Sequence, residues 1–366
     1  MSQSRIEHAL FAVVLSRYDE INRYIQKGLN VLFKTNQTLV LLPHGITIET
    51  NDVNKRKYAQ AHDYDVLRIY RDFKFEWVYK EGSDAVLLLT NKCNENCIMC
   101  PCTLTWRQIK TDLGRDYNLE LLDYFPSDIS HLCLTGGEPT LIREGLFDVL
   151  DKVNKLFPYT HVQMLTNGRT FANKSYFQKL QEHFLRTIVF GIPLYGSTPE
   201  KHDLITQVPG GFKQTVLGIH HLLGCHQEVE IRIVASKLNY HDIGNIAYMI
   251  VSEFKGISSV KIMGLEMMGM AAAHQEDVWI DYQKAFKYSK EAIKILIRNG
   301  IDVQLYNFPL CKVERGYWNI CSQSITPSKI RYSETCQYCL VKDMCGGVFG
   351  STLKVTQMTL DPILEL

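Results

Sequence analysis

The sequence predicts an α/β protein built on a partial (β/α)6 TIM barrel, with a small, mostly-β N-terminal domain and a cysteine-rich C-terminal extension. Three observations predict it. Six strand-like runs alternate with helical patterns between residues 83 and 275, and such alternation implies parallel strands with right-handed crossovers. Short β-branched and aromatic runs between turn residues fill residues 1–82. Five of the eleven cysteines lie in the last 56 residues, within a third zone, 276–366.

In the first zone a helix is expected over Glu7–Tyr24. Strands follow at Val31–Phe33, Thr38–Leu42, Ile46–Ile48 and Val66–Tyr70, punctuated by turns such as Pro43-His44-Gly45. In the second zone the strands are Ala85–Thr90, His131–Leu134, His161–Leu165, Thr187–Ile192, Val229–Val234 and Ser259–Leu265. Between them Leu146, Val149, Leu150, Val153, Leu156 and Phe157 recur at helical spacing, and another helix runs from Phe212 to Leu223. Six such units curve into three quarters of a TIM barrel, whose catalytic face is lined by the residues just after each strand. The third zone holds a helix, Tyr282–Arg298, a strand, Asp302–Tyr306, and the cysteine-rich tail.

Hydrophobic residues make up 46% and charged residues 22%, enough apolar content to bury a large core. A formal net charge of +1 provides no basic field for nucleic acid, although a local groove can hide in a neutral total. No apolar run approaches the roughly 18–20 residues needed to span a bilayer. The N-terminus lacks a signal-peptide pattern. The expected location is the cytoplasm, where disulfides rarely persist, so clustered cysteines point to metal ligation.

Cys93, Cys97 and Cys100 form a C-x3-C-x2-C run just after the first predicted strand. Three thiolates on one loop can bind three irons of a [4Fe-4S] cubane, leaving the fourth iron open. An open iron can chelate the amino and carboxylate groups of S-adenosylmethionine (SAM) and reduce its sulfonium. The 5′-deoxyadenosyl radical so formed abstracts hydrogen from an unactivated C–H bond. Spacing alone also admits a zinc site completed by Cys102; placement after the first strand favours the cluster.

The second strand ends in Gly136-Gly137-Glu138-Pro139, whose glycines let the backbone approach a ligand and whose carbonyls and carboxylate suit an ammonium group. This resembles the Gly-Gly-Glu motif of radical SAM enzymes, which binds the methionyl amine. Thr166-Asn167-Gly168 after strand three resembles a turn of the same superfamily; a plain β–α turn reads the same way. After strand four, Pro193 and Tyr195 stand where many relatives carry a cofactor-contacting Ser, which makes Tyr195 a candidate catalytic hydrogen-atom or proton donor or else a packed barrel tyrosine. Arg232 on strand five would meet the SAM carboxylate or sit in a core ion pair. Leu265 opens the segment that holds the adenine in relatives.

In the tail, Cys336-x2-Cys339-x5-Cys345-Gly346-Gly347 resembles the SPASM/twitch extension of radical SAM peptide maturases. A full SPASM domain wants a further cysteine at 349, which is Phe349, so one auxiliary [4Fe-4S] cluster fits better than two. Its ligands are Cys336, Cys339, Cys345 and a fourth, Cys311 in preference to Cys321. A zinc ribbon is the alternative. Cys133 and Cys225 read as buried small hydrophobes.

From about residue 85 to 350 the chain resembles the C component of the His-Xaa-Ser system, on Ile192–Tyr195, His202-Asp203, Met263–Glu266, Trp279–Asp281, Tyr306–Cys311 and the closing Cys-Gly-Gly. The resemblance implies an enzyme that oxidatively modifies or cross-links a ribosomally made precursor peptide, with a His-Xaa-Ser repeat peptide as the expected partner. It also implies a reductant such as flavodoxin or ferredoxin and a second radical SAM maturase. Residues 1–82 are the candidate for leader recognition. A radical SAM enzyme acting on a small molecule in cofactor biosynthesis and a non-catalytic zinc protein are the competing readings.

Overall fold

The computed structural model describes residues 8–35, 38–48, 58–82 and 84–365. The chain divides into two compact units. One comprises the residues up to 89 with 112–135 and 142–163; the other comprises 90–111, 136–141 and the chain from 164 onward.

In the first unit, strands β1 (Leu10–Leu15), β2 (Val31–Lys34), β3 (Leu39–Leu42), β4 (Ile46–Ile48), β5 (Val66–Ile69) and β6 (Phe75–Tyr79) form a sheet in the order β4-β3-β2-β1-β5-β6. β1 and β2 are parallel, with Val13 opposite Val31, and the helix Tyr18–Ile25 makes the crossover that a parallel pair requires. The other pairs are antiparallel. Ala12, Val14, Leu32, Leu41, Leu67 and Ile69 build the buried centre of one face.

The expected helix over Glu7–Tyr24 is corrected here. Glu7 lies outside the described residues, Leu10–Leu15 is a strand, and the helix begins only at Tyr18. Phe11 to Leu15 are all buried, because β1 lies between β2 and β5 with both faces covered. A continuous apolar run carries no period, so it fits a buried strand as well as a helix. Strand β6 was also absent from the sequence reading; it pairs with β5 through the turn in which the Tyr70 N–H donates to the Lys74 carbonyl.

Strands β7 (Ala85–Leu88), β8 (His131–Thr135), β9 (His161–Leu165), β10 (Val189–Pro193), β11 (Glu228–Ala235), β12 (Ser259–Gly264), β13 (Asp302–Tyr306) and β14 (Cys321–Ser322) lie in one sheet in chain order. β7 pairs with β8 in parallel, and β10 through β14 pair successively in parallel. All six predicted strands are present, in the α/β succession of a partial barrel. The sheet then continues through β13 and β14, with the helix Tyr282–Arg298 as the crossover from β12 to β13. That helix starts where the Asp281 side chain accepts the N–H of Gln283 at 2.8 Å, an N-cap. It buries Tyr282, Ala285, Phe286, Ser289, Ala292, Ile293 and Leu296 along one stripe.

In the tail, β15 (Ile330–Arg331) and β16 (Val348–Phe349) pair antiparallel before the helix Gly350–Thr356. Among the described residues no helix is long and apolar enough to cross a membrane.

Candidate functional site

The cysteine loop opens immediately after β7. Its backbone is clamped to the Gly-Gly segment: the Gly137 N–H donates to the Thr90 carbonyl at 2.7 Å and the Glu138 N–H to the Lys92 carbonyl at 2.8 Å. A Cβ on Gly136 would overlap the Thr90 carbonyl oxygen, and one on Gly137 the Lys92 carbonyl oxygen. Both positions must be glycine for two backbones to run this close. The two loops themselves make use of that closeness.

Glu138 is completely buried. Its Oε1 accepts the Thr140 N–H at 3.1 Å, the Thr140 hydroxyl at 2.7 Å and the Thr166 hydroxyl at 2.7 Å. Its Oε2 accepts the Asn167 N–H at 2.8 Å. Burial pushes the carboxyl above its ordinary range, and the four donors oppose that shift. Glu138 therefore ties the end of the second motif to the start of the third. Pro139 is buried at the head of a short turn, Pro139–Ile142.

The third motif reaches back to the cysteines. Asn167 Nδ2 donates to Asn94 Oδ1 at 2.7 Å, and Arg169 Nη1 to the Asn94 carbonyl at 2.5 Å. Asn94 lies between Cys93 and Cys97. Three segments far apart in sequence thus converge on one loop.

Cys97 is buried and Cys93 and Cys100 are half-buried. The Cys97 thiol donates to Glu95 Oε2 at 3.2 Å. Burial pushes Cys93 up to about 11 and Cys97 well above the ordinary thiol range. A hydrogen bond from Cys102 lowers Cys100 to about 6 and raises Cys102. Arg107, which donates to the Glu95 carbonyl, supplies positive charge beside all three thiols. Among the described residues no three His, Cys, Asp or Glu side chains converge as a single-ion site. Thiolates that bind three different irons of a cubane need not converge on one point. A loop of three thiols with an adjacent guanidinium fits such a cluster.

Tyr195, just beyond β10, lies beside this loop. Its ring packs with Met99, Ile205, Leu265, Met267 and Ala271, and burial holds its phenol well above the ordinary range. Its N–H donates to His202 Nδ1 at 3.3 Å. Leu265 is buried in the same cluster, and its carbonyl accepts the Tyr282 hydroxyl at 2.9 Å. The segment after β12 closes on the cysteine loop as well: the Met270 N–H donates to the Cys100 carbonyl at 2.9 Å, and a Cβ on Gly269 would overlap Pro101. Arg232 is in an ion pair, its Nε 2.7 Å from Glu230 Oε1, with Lys261 Nζ 3.9 Å from the other oxygen.

Sequence reasoning missed Glu95, Asn94, Arg107 and Arg169. Glu95 is buried, pushed up to about 7 by that burial, and its Oε1 has no hydrogen-bond partner. Its position inside the C-x3-C run was the available signal.

In the tail, Cys311, Cys336, Cys339 and Cys345 line one pocket with Tyr332 and Lys342. Three of the four sulfurs receive a backbone N–H, and the fourth, Cys336, has a hydroxyl beside it. Cys345 Sγ accepts the N–H of Leu310 and of Gly347 at 3.4 Å, Cys339 Sγ accepts that of Ile363 at 3.4 Å, and the Ser333 hydroxyl is 3.2 Å from Cys336 Sγ. A backbone hydrogen bond from Asp361 lowers the Cys311 thiol, although burial raises it overall to about 11. Donors aimed at sulfur are the hydrogen bonds that stabilise cluster thiolates. Cys321 is in β14 beside Leu305, and its thiol instead donates to the Tyr317 carbonyl at 3.6 Å.

A family model described as Radical SAM superfamily matches residues 87–249. The chain is 27% identical over 172 residues to a GTP 3′,8-cyclase of Clostridium perfringens (strain SM101 / Type A), covering 44% of this chain and 50% of that protein. It is 24% identical over 224 residues to an AdoMet-dependent heme synthase of Nitratidesulfovibrio vulgaris, covering 56% and 58%. The chain spans about half the length of the curated relatives it matches. Among solved structures, Streptococcus suis SuiB bound to precursor peptide SuiA superposes with a TM-score of 0.48 at 12% identity, over 60% of this chain and 47% of that one. Native anSMEcpe with bound AdoMet and Kp18Cys peptide gives 0.42 at 16% identity, over 60% and 62%.

Proposed function

The chain carries a radical SAM domain across residues 87–249, and from that premise we propose that this enzyme oxidatively modifies or cross-links a ribosomally made peptide. Cys93, Cys97 and Cys100 would hold a [4Fe-4S] cluster, and Cys311, Cys336, Cys339 and Cys345 one auxiliary cluster. When bound, the first cluster and SAM together supply a 5′-deoxyadenosyl radical that removes hydrogen from carbon. The observation that carries the reading is the convergence on Asn94, where Asn167 and Arg169 fasten the cysteine loop to the Glu138 strut.

The residues have defined tasks in this proposal. Glu138, Gly136 and Gly137 hold the loop backbone in place, with Pro139, Thr166 and Asn167 completing the wall on which the cofactor would rest. Met99, Tyr195, Leu265 and Met267 exclude water beside it. Tyr195 keeps its proton and would present its hydroxyl to the substrate as a hydrogen-bond or proton donor. Residues 83–275 form the core, 276–366 the auxiliary extension, and 1–82 the candidate leader-binding region. A His-Xaa-Ser repeat peptide, a flavodoxin or ferredoxin and a second maturase are the partners this reading expects.

A second reading is favoured by the curated relatives, whose names are those of a cyclase and a heme synthase: a small-molecule substrate in cofactor biosynthesis. One experiment tests both. Anaerobically reconstituted protein is assayed for iron, sulfide and EPR signal beside a Cys93/Cys97/Cys100→Ala variant. About eight irons falling to about four matches two clusters. The protein is then incubated with SAM and either a His-Xaa-Ser repeat peptide, GTP or a porphyrin. Loss of two hydrogens from the peptide supports the first reading; conversion of GTP or porphyrin instead replaces it with the second.

A further inference from the structure

The helix Tyr282–Arg298 has a second face that the fold does not use. Lys284, Lys287, Lys290, Lys294 and Arg298 follow one another at three- and four-residue steps, which sets them in a stripe along one side. All are exposed except Lys290, which is half-buried. Solvated lysines on a helix are ordinary; two further features make this stripe more than that.

First, it forms a wall of an open groove of about 600 Å³, to which Lys284, Lys287, Lys290 and Lys312 contribute. The carboxylates there are already engaged: Asp281 caps the helix, and Glu314 is held by Lys290 at 2.8 Å and 2.9 Å. Lys284 Nζ rests 4.8 Å from the centre of the Tyr240 ring, and Lys287 has no ionic partner among the described residues. Lys312 Nζ is 2.9 Å from Asp361 Oδ2 and Lys290 is held by Glu314, so the uncommitted positive charge of the groove is that of Lys284 and Lys287.

Second, Cys311 lines this groove and also lines the four-cysteine pocket. One side chain is therefore shared between a cationic surface depression and the pocket proposed to hold the auxiliary cluster.

We propose that this groove docks a small acidic one-electron carrier protein, which delivers its electron at Cys311. Complementary charge steers such encounters, and electron-transfer interfaces are small and short-lived. The step balances without bond making: the carrier is oxidised by one electron, the group at Cys311 is reduced by one, and no proton need move. The proposal rests on the auxiliary-cluster reading above.

The test uses the reconstituted full chain and a reduced acidic [2Fe-2S] ferredoxin as probe. Iron is counted first; a tail without iron overturns the cluster reading and leaves the docking measurement to be read separately. Binding is then measured by calorimetry at low and high salt for wild type, Lys284→Glu/Lys287→Glu, and a control, Lys213→Glu/Lys255→Glu, with the same change of net charge elsewhere. The expected result is a dissociation constant raised about tenfold or more in the first variant and by salt, little change in the control, and carbodiimide cross-links from Lys284 or Lys287 to ferredoxin carboxylates. Reduction of the iron by dithionite, which needs no docking surface, should stay at the wild-type rate in all three. Equal ferredoxin affinity in the two variants, or cross-links confined to other lysines, overturns the proposal; an acidic peptide as the true occupant would give that outcome.

Discussion

The main-chain N–H of Asn167 donates to Oε2 of Glu138 at 2.8 Å, joining the segments that follow β8 and β9 through a carboxylate with no exposure to solvent. The Thr166 hydroxyl adds to the same link at 2.7 Å. Asn167 in turn holds Asn94, so this side chain is one of the supports that position the cysteine loop.

Glu138→Gln should therefore loosen the loop. An amide nitrogen in place of either oxygen faces a donor, either the Asn167 N–H or the Thr140 and Thr166 groups. An unsatisfied buried donor costs about 1–3 kcal/mol. Urea unfolding should show that loss, and the reconstituted variant should release its barrel iron to a chelator faster than wild type. Unchanged release rates would contradict the strut.

Gly137→Ala should be at least as damaging, because its Cβ would overlap the Lys92 carbonyl oxygen. Backbone must move, at a cost of about 1–3 kcal/mol or more. Gly316→Ala is the comparison: nothing lies near its Cβ and its backbone is not in the left-handed region. That variant should match or slightly exceed wild type in stability. Thermal unfolding of the pair reads the difference.

Cys311→Ala and Cys321→Ala should behave differently. Cys311 lines the pocket with the other three cysteines, whereas Cys321 donates to Tyr317. Iron analysis should find about four irons lost from the first variant and none from the second. The reverse pattern would exchange their roles.

Tyr195→Phe removes a hydroxyl from a half-buried ring and leaves its packing, so stability should change by less than about 1.5 kcal/mol. Formation of 5′-deoxyadenosine should persist, while modified peptide falls by about a hundredfold if the hydroxyl donates to substrate. Equal rates of product formation would leave Tyr195 as a packing residue.

Acid should destabilise the chain through His202. Burial lowers its folded pKa from 6.5 to about 4, with Asp203 opposing the shift and Arg169 adding to it. The folded ring stays neutral while the unfolded ring takes a proton below pH 6.5. The unfolded state then binds more protons, so stability rises with pH between about 4 and 6.5 and is flat above. Over that window the effect is of order 3 kcal/mol. Urea titrations from pH 5 to 7 should show His202→Gln with the shallower slope, by up to one proton.

Local patterns in the chain carried much of this in advance. The strands β9 and β13 and the helix Tyr282–Arg298 begin and end where periodicity places them, because alternation and a helical stripe are recorded residue by residue. Strand β1 was not legible, since a run buried on both faces has no period, and β14, with two residues, is too short to have one. The position of Cys93, Cys97 and Cys100 on one loop was set by the sequence alone, because eight residues cannot carry them apart. Tertiary structure decided the rest. It set Cys311 in the pocket lined by Cys336, Cys339 and Cys345, paired Arg232 with Glu230, and closed Glu138 onto Thr166 and Asn167. Spacing fixes how far two residues can be from each other; only the packing of strands and loops distant in the chain determines which donor meets which acceptor.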